Sequence, residues 1–114
     1  LYSIFRRETA AVISLTPDPN PVPVPSNLAA GAKSGTTPNI SQVLTWSAVI
    51  GATGYKTQKS TNSGSTWAAT TVQPVGTATT VTETGIATGA IWFRVAATVG
   101  GIDSDWSPYI VVTA

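Results

Sequence analysis

The chain contains no cysteine and no histidine among its 114 residues. Without cysteine there are no disulfide staples and no thiolate nucleophile. Without histidine, imidazole-based acid–base and triad catalysis are closed. Methionine is also missing and the first residue is Leu1, as expected of a processed product or an excerpt of a longer chain. Charge is scarce: 10% of residues are charged, against roughly 25% in an average soluble domain. Solubility must therefore rest on Thr, Ser, Asn and Gly. The six basic residues, Arg6, Arg7, Lys33, Lys56, Lys59 and Arg94, are scattered, and only Arg6 and Arg7 adjoin. That distribution offers no footprint for nucleic acid and no polybasic run for an anionic membrane. Near the start the longest apolar run is Ala10 to Ile13, too short to insert in a membrane or form a signal core.

Acidic residues are equally few: Glu8, Asp18, Glu83, Asp103 and Asp105. Glycoside hydrolysis needs two carboxylates facing across a cleft. Asp103 and Asp105 share one short loop and cannot flank a substrate. Their alternation in "DSD" resembles a calcium loop, but six to eight oxygen ligands are required, and the EF-hand pattern needs more acidic positions and a distal Glu, so a solvated hairpin loop is expected. No enzyme, metal or cofactor is expected from this chain.

What is present reads as all-β. Hydrophobic residues make up 42%, with ten glycines and eight prolines. A Thr-rich, turn-rich composition of this kind suits short strands. Three zones separate. Residues 1–16 form an N-terminal arm or the end of a preceding domain. Residues 17–26 form a linker, "PDPNPVPVPS", in which alternate prolines impose extended polyproline II geometry; such a linker is a semi-rigid spacer. Residues 27–114 form the domain, where apolar stretches alternate with turn clusters at sandwich spacing.

Seven strands are predicted: A over 27–32, B over 41–47, C over 54–60, C′ over 66–73, E over 77–84, F over 90–99 and G over 106–113. On strand F, Ile91, Phe93, Val95 and Ala97 share one face, and Trp92, Arg94, Ala96 and Thr98 the other. The first set is the core face. Leu44 and Trp46 on strand B, Tyr55 on strand C and Ile110 or Val112 on strand G complete the predicted core.

These pieces resemble a fibronectin type III domain. The matching segments are "PSNL" at 25–28, "VLTWS" at 43–47, "GATGYKTQKS" at 51–60, "GSTW" at 64–67, "WFRVAA" at 92–97 and "SDWSPYIVVTA" at 104–114. The resemblance implies an immunoglobulin-like antiparallel sandwich of seven strands with an extended N-terminal arm, strands A, B and E packing against C, C′, F and G. One departure stands out. The family's tyrosine near the start of strand F is replaced by Ile91, so its hydroxyl bond is missing or Trp92 takes its place. The stretch "GATGYKTQKSTNSGSTW" is similar to bacterial and bacteriophage modules. The lead-in "VISLTPDPNPVPVPSNLAAG" resembles junctions in phage tail-tip and host-specificity proteins.

Trp92 and Arg94 share the outer face of strand F, and Trp106 begins strand G beside them. An arginine against indoles gains cation–π energy of about 0.5–2 kcal/mol. The segment "SDWS" also resembles the second half of the cytokine-receptor "WSXWS" box, which implies a stack of strand-F arginine on tryptophan; Asp103 stands where the box has its first tryptophan. With Trp67, these residues are either a structural ladder or a binding surface for a glycan or protein. The expected function is a non-catalytic spacing, docking or adhesion module of a virion or extracellular protein, such as a bacteriophage tail tip or fibre. The alternative is an accessory or carbohydrate-binding module of a secreted bacterial polysaccharide-degrading enzyme. Expected partners are neighbouring domains or subunits and a host-surface glycan or protein, with no nucleic acid and no membrane insertion. The expected location is extracellular or on a virion surface.

Overall fold

The strongest alternation in the sequence, "AIWFRVAATV", becomes the longest strand of the computed structural model, which describes residues 20–87 and 89–113. In chain order the strands are β1 (Ala29–Thr36), β2 (Asn39–Thr45), β3 (Gly54–Ser60), β4 (Ala68–Ala69), β5 (Thr80–Ile86), β6 (Ala90–Val99), β7 (Ile102–Asp103) and β8 (Ile110–Thr113). No helix occurs among the described residues. One sheet has the order β1-β2-β5; the other runs β4-β3-β6-β7, and β8 also pairs with β6. All pairings are antiparallel. The two sheets face each other as a sandwich, with the predicted division of strands between them.

Between the sheets lie Ile40, Leu44, Trp46, Tyr55, Val81, Ile86, Ile91, Phe93, Val95, Ala97 and Val112. Leu44, Phe93 and Val95 are fully buried. Trp46 meets Tyr55 edge-on, with ring centroids 5.5 Å apart, a favoured geometry for aromatic quadrupoles. The Tyr55 hydroxyl accepts a hydrogen bond from the Val49 amide at 2.8 Å, so the ring's one polar atom is satisfied. Ala96 points to the outer face yet is also buried. Its methyl is overshadowed by larger neighbours: Arg94 and Thr98 along the strand and Lys56 across from it.

The first two strands are displaced from 27–32 and 41–47 to Ala29–Thr36 and Asn39–Thr45, and three later boundaries differ from those predicted for local reasons. β4 keeps only two residues of the expected 66–73. After Thr70, which donates its amide to the Thr57 carbonyl, the amides of Thr71 and Val72 turn to the carboxylate of Glu83. β5 begins at Thr80 because a turn, closed by the Ala78 amide on the Val75 carbonyl, occupies residues 75–78. The expected last strand is split: Trp106 lies outside any strand, and regular pairing resumes only at Ile110. Pro108 has no amide to give to a ladder.

The proline-rich stretch is not a free spacer over its described part. Asn20 Nδ2 donates to the Asp103 carbonyl at 2.7 Å, and the Val22 amide donates to Asn20 Oδ1. Val22 and Pro25 are buried, Val22 as a member of the core cluster. The Ser47 amide then donates to the Ser26 carbonyl at 2.9 Å. Extended geometry from alternate prolines is what lets the segment lie as a strap along the sandwich edge, placing Val22 and Pro25 inward. Residues 20–26, expected as linker, are therefore packed against the domain. Residues 1–19 lie outside the described part, and so does the arm expected over 1–16.

Candidate functional site

The outer face of the β4-β3-β6-β8 sheet carries a continuous stack. Tyr109 lies flat on Trp92, with ring centroids 3.9 Å apart and planes within 1°. Trp67 follows at 6.5 Å from Trp92, tilted by 53°. The guanidinium of Arg94 sits between two indoles, 4.1 Å from the Trp67 ring centre and 4.7 Å from that of Trp106. Trp67, Trp92, Arg94 and Trp106 are thus brought together in one array, each half-buried.

Local sequence explains how each rung is held. Gln58 is the cross-strand partner of Arg94. Its Oε1 accepts from Arg94 Nε at 3.0 Å and Nη2 at 2.6 Å, fixing the plane of the guanidinium. Burial pulls the Arg94 pKa down from its ordinary value, but a guanidinium stays cationic. Trp67 is delivered by the β3–β4 turn. Ser60 Oγ accepts from the Gly64 amide at 2.8 Å, and Asn62 Oδ1 accepts from the Thr66 amide at 2.9 Å. At Gly64, φ is +83° and a Cβ would stand 2.8 Å from the Trp92 ring. Only glycine lets this turn close over the indole. The family's missing corner hydroxyl is not replaced by Trp92, which is engaged in the stack, while Ile91 packs in the core.

Trp106 is positioned by two serines. Ser107 donates its amide to the Val95 carbonyl at 2.8 Å and accepts the Val95 amide on Oγ at 3.0 Å. Ser104 repeats the pattern on Ala97, at 2.7 Å and 2.9 Å. Each hydroxyl stands in for the strand carbonyl and passes its own proton to the next carbonyl, of Asp105 or Pro108. The segment thus advances three residues while β6 advances two. Ser107→Ala is expected to orphan a buried amide at a cost of about 1–3 kcal/mol, read as faster hydrogen exchange at Val95 and a lower urea midpoint.

Gln58, Ser104, Ser107 and Tyr109 escaped the sequence reading as members of this array. The three-residue spacing of serines in "SDWS" was the available signal. For Tyr109 the signal was alternation: with Ile110 and Val112 turned to the core, Tyr109 falls on the outward face beside Trp92.

The carboxylates of Asp103 and Glu83 are committed to partners. Asp103 Oδ2 is 2.7 Å from Lys56 Nζ, and Oδ1 accepts from Thr98 Oγ1 at 2.7 Å. The Lys56 and Thr98 hydrogen bonds hold its carboxyl below the usual value. Glu83 is fully buried. Its Oε2 receives the Thr71 amide at 3.0 Å and lies 2.8 Å from Lys59 Nζ, and its Oε1 receives the Val72 amide at 3.1 Å. Burial pushes this carboxyl up, but Lys59 and the two amides outweigh that and leave it lowered. Neither carboxylate faces an open cleft.

A solved structure of an Fn3-like protein from Clostridium thermocellum is 28% identical to this chain, with a TM-score of 0.64, covering 79% of this chain and 90% of its own. The chain has a fibronectin type III-like fold. A human fibronectin type III domain from the KIAA0970 protein is 20% identical, with a TM-score of 0.57, covering 99% of this chain and 84% of its own. A computationally redesigned β-sandwich protein is 22% identical, with a TM-score of 0.51, covering 79% of this chain and 89% of its own. These last two share the fold. No protein-family model and no curated protein matches the sequence. The fold is that of a β-sandwich module of a generally non-catalytic kind, and the aromatic ladder lies on the outer face of one sheet.

Proposed function

We propose that this fibronectin type III domain is a structural spacing and docking module of a larger virion or extracellular protein, most simply a bacteriophage tail-tip or fibre component. One observation carries the spacing role. The strap from Asn20 to Ser26 is held by hydrogen bonds at both ends and by burial of Val22 and Pro25. A joint tied in this way transmits orientation rather than letting the module swing. The ladder supports the same reading, because stacking and the Gln58 clamp stiffen the sheet that faces outward. The virion setting rests on the likeness of the lead-in "VISLTPDPNPVPVPSNLAAG" to phage junctions, and host-surface contact is part of that proposal.

A second reading makes the same face a carbohydrate platform in an accessory module of a secreted bacterial polysaccharide-degrading enzyme. The observation in its favour is Tyr109, half-exposed beside Val111 and lining a groove of about 400 Å³ with Val24, Pro25, Leu28, Pro108 and Ile110. Fluorine-labelled tryptophan separates the two readings. For the spacer, the Trp92 resonance is expected to resist relaxation by a soluble paramagnet, and no indole resonance is expected to shift across a broad glycan panel. Saturable shifts at Trp67, Trp92 or Trp106 with one glycan would put the platform reading in its place.

A further inference from the structure

Arg94 is a half-buried cation that no carboxylate answers. Lys56 is paired with Asp103 and Lys59 with Glu83, while Lys33 donates to the Thr113 carbonyl. Arg94 has only the neutral amide oxygen of Gln58, and no carboxylate among the described residues pairs with it. That oxygen takes Nε and Nη2, one edge of the guanidinium. A guanidinium carries five N–H groups, so its Nη1 end is left over. The same two bonds turn the Gln58 oxygen toward Arg94, which leaves the Gln58 amide nitrogen as a further donor. The indole N–H groups of Trp67 and Trp106 also have no acceptor among the described residues. Every unassigned side-chain polar atom of this slot is therefore a donor.

The walls of the slot are indoles, 4.1 Å and 4.7 Å from the guanidinium carbon. They hold the charge partly out of water, and burial pulls the Arg94 pKa down accordingly. A carboxylate matches the planar guanidinium fork with two parallel hydrogen bonds, and such a bond strengthens where water is excluded. Beside the slot the face is apolar. Val111 is the cross-strand partner of Trp92, and Val111 and Tyr109 are both half-exposed. A small inorganic anion would use the guanidinium alone. The apolar margin fits a carboxylate carried on an apolar polypeptide segment, and Trp, Tyr and Arg are the residue types that dominate protein-binding hot spots.

We propose that the Arg94 slot is a docking site for a segment of a partner protein that presents an aspartate or glutamate flanked by apolar residues. The partner's carboxylate takes the open Nη1 end of Arg94, and its apolar neighbours rest on Val111 and Tyr109. This rests on the docking part of the proposed function and names the chemistry of the contact. The spacing role rests on the strap and is independent of it.

The probe is a capped acidic peptide, acetyl-Leu-Glu-Leu-amide, with its glutamine twin. Each is titrated into the full chain while the Arg94 side-chain N–H and the indole N–H resonances are followed. The acidic peptide is expected to shift Arg94, Trp67 and Trp106 saturably, and to bind at least about tenfold more tightly than its twin. Added salt should weaken it. Lys33→Gln, which removes a cation elsewhere, is expected to leave binding unchanged. Gln58→Glu supplies the missing carboxylate from within the sheet at nearly the same side-chain size. It is expected to abolish binding while the Val95 and Ala97 amides keep their positions. Equal binding of the two peptides would overturn the carboxylate preference and leave docking at this face standing. Silence with both would remove the inference and docking at this face together. Binding that survives Gln58→Glu would place the contact away from Arg94. Arg94 shifts that follow protein concentration without peptide would overturn the proposal in favour of a second copy as the partner.

Discussion

Phe93→Ala is expected to destabilise the domain by about 3–5 kcal/mol. Phe93 sits on the central strand of its sheet, pairing with Lys59 on β3 and Ile110 on β8, and its side chain is fully buried. Strands on both sides of β6 hold its backbone in place. The neighbours therefore cannot collapse into the space a phenyl ring vacates, and the cavity persists. In a domain of this size each kcal/mol moves the melting temperature by roughly 4–8 °C, so Tm should fall by roughly 12 °C or more. Urea unfolding monitored by tryptophan fluorescence gives the free energy directly. A loss below about 1 kcal/mol would show that the core repacks, contrary to close packing on β6.

The second large effect belongs to Glu83. Its carboxylate, enclosed between the sheets, replaces the strand partner that Thr71 and Val72 lack. Glu83→Ala leaves two amides without acceptors and Lys59, whose side chain is 27% exposed, without its counter-ion. Removing one member of a buried pair costs about 3–5 kcal/mol. Glu83→Gln keeps an acceptor and should lie between alanine and the natural residue. The ionisation of Glu83 adds a pH dependence of definite sign. Its pKa is lowered in the folded state, so its contribution is full above the unfolded value of about 4.3. It is lost as pH falls through the lowered folded value. Urea midpoints between neutral pH and pH 3 should therefore decline more steeply in the natural chain than in Glu83→Gln. Asp103, also lowered, contributes in the same direction but more weakly, because its pair with Lys56 is exposed to solvent. Parallel curves for the two proteins would remove Glu83 from the account.

The Glu83 site also marks where the sequence stopped being legible. Alternation puts Glu83 on the face of Val81 in "TVTETGI" and Lys59 on the face of Tyr55 in "GYKTQKS", both turned inward. Their meeting depends on which strands flank the opening between the sheets, and period-two alternation carries no information about that. The same holds for the strap. Alternate prolines in "PDPNPVPVP" dictate extended geometry wherever they occur, but whether the extended segment swings free or lies down is decided by contacts remote in sequence, from Asn20 to Asp103 and from Ser26 to Ser47.

The ladder divides in the same way. Trp92 and Arg94 had to share a face because residues two apart on a strand always do. That Trp67 and Trp106 close on Arg94 from both sides, and that Tyr109 lies flat on Trp92, depended on a glycine turn and two serine bridges. By itself, the sequence determined the all-β class, the core face of β6 and the burial of Leu44, Trp46 and Tyr55. These follow from backbone alternation and from the free energy of removing apolar surface from water, both of which act over a few neighbouring residues. Only the tertiary structure decided that the strap is docked and that Asp103 and Glu83 are committed to partners. Each of those depends on pairing between segments tens of residues apart.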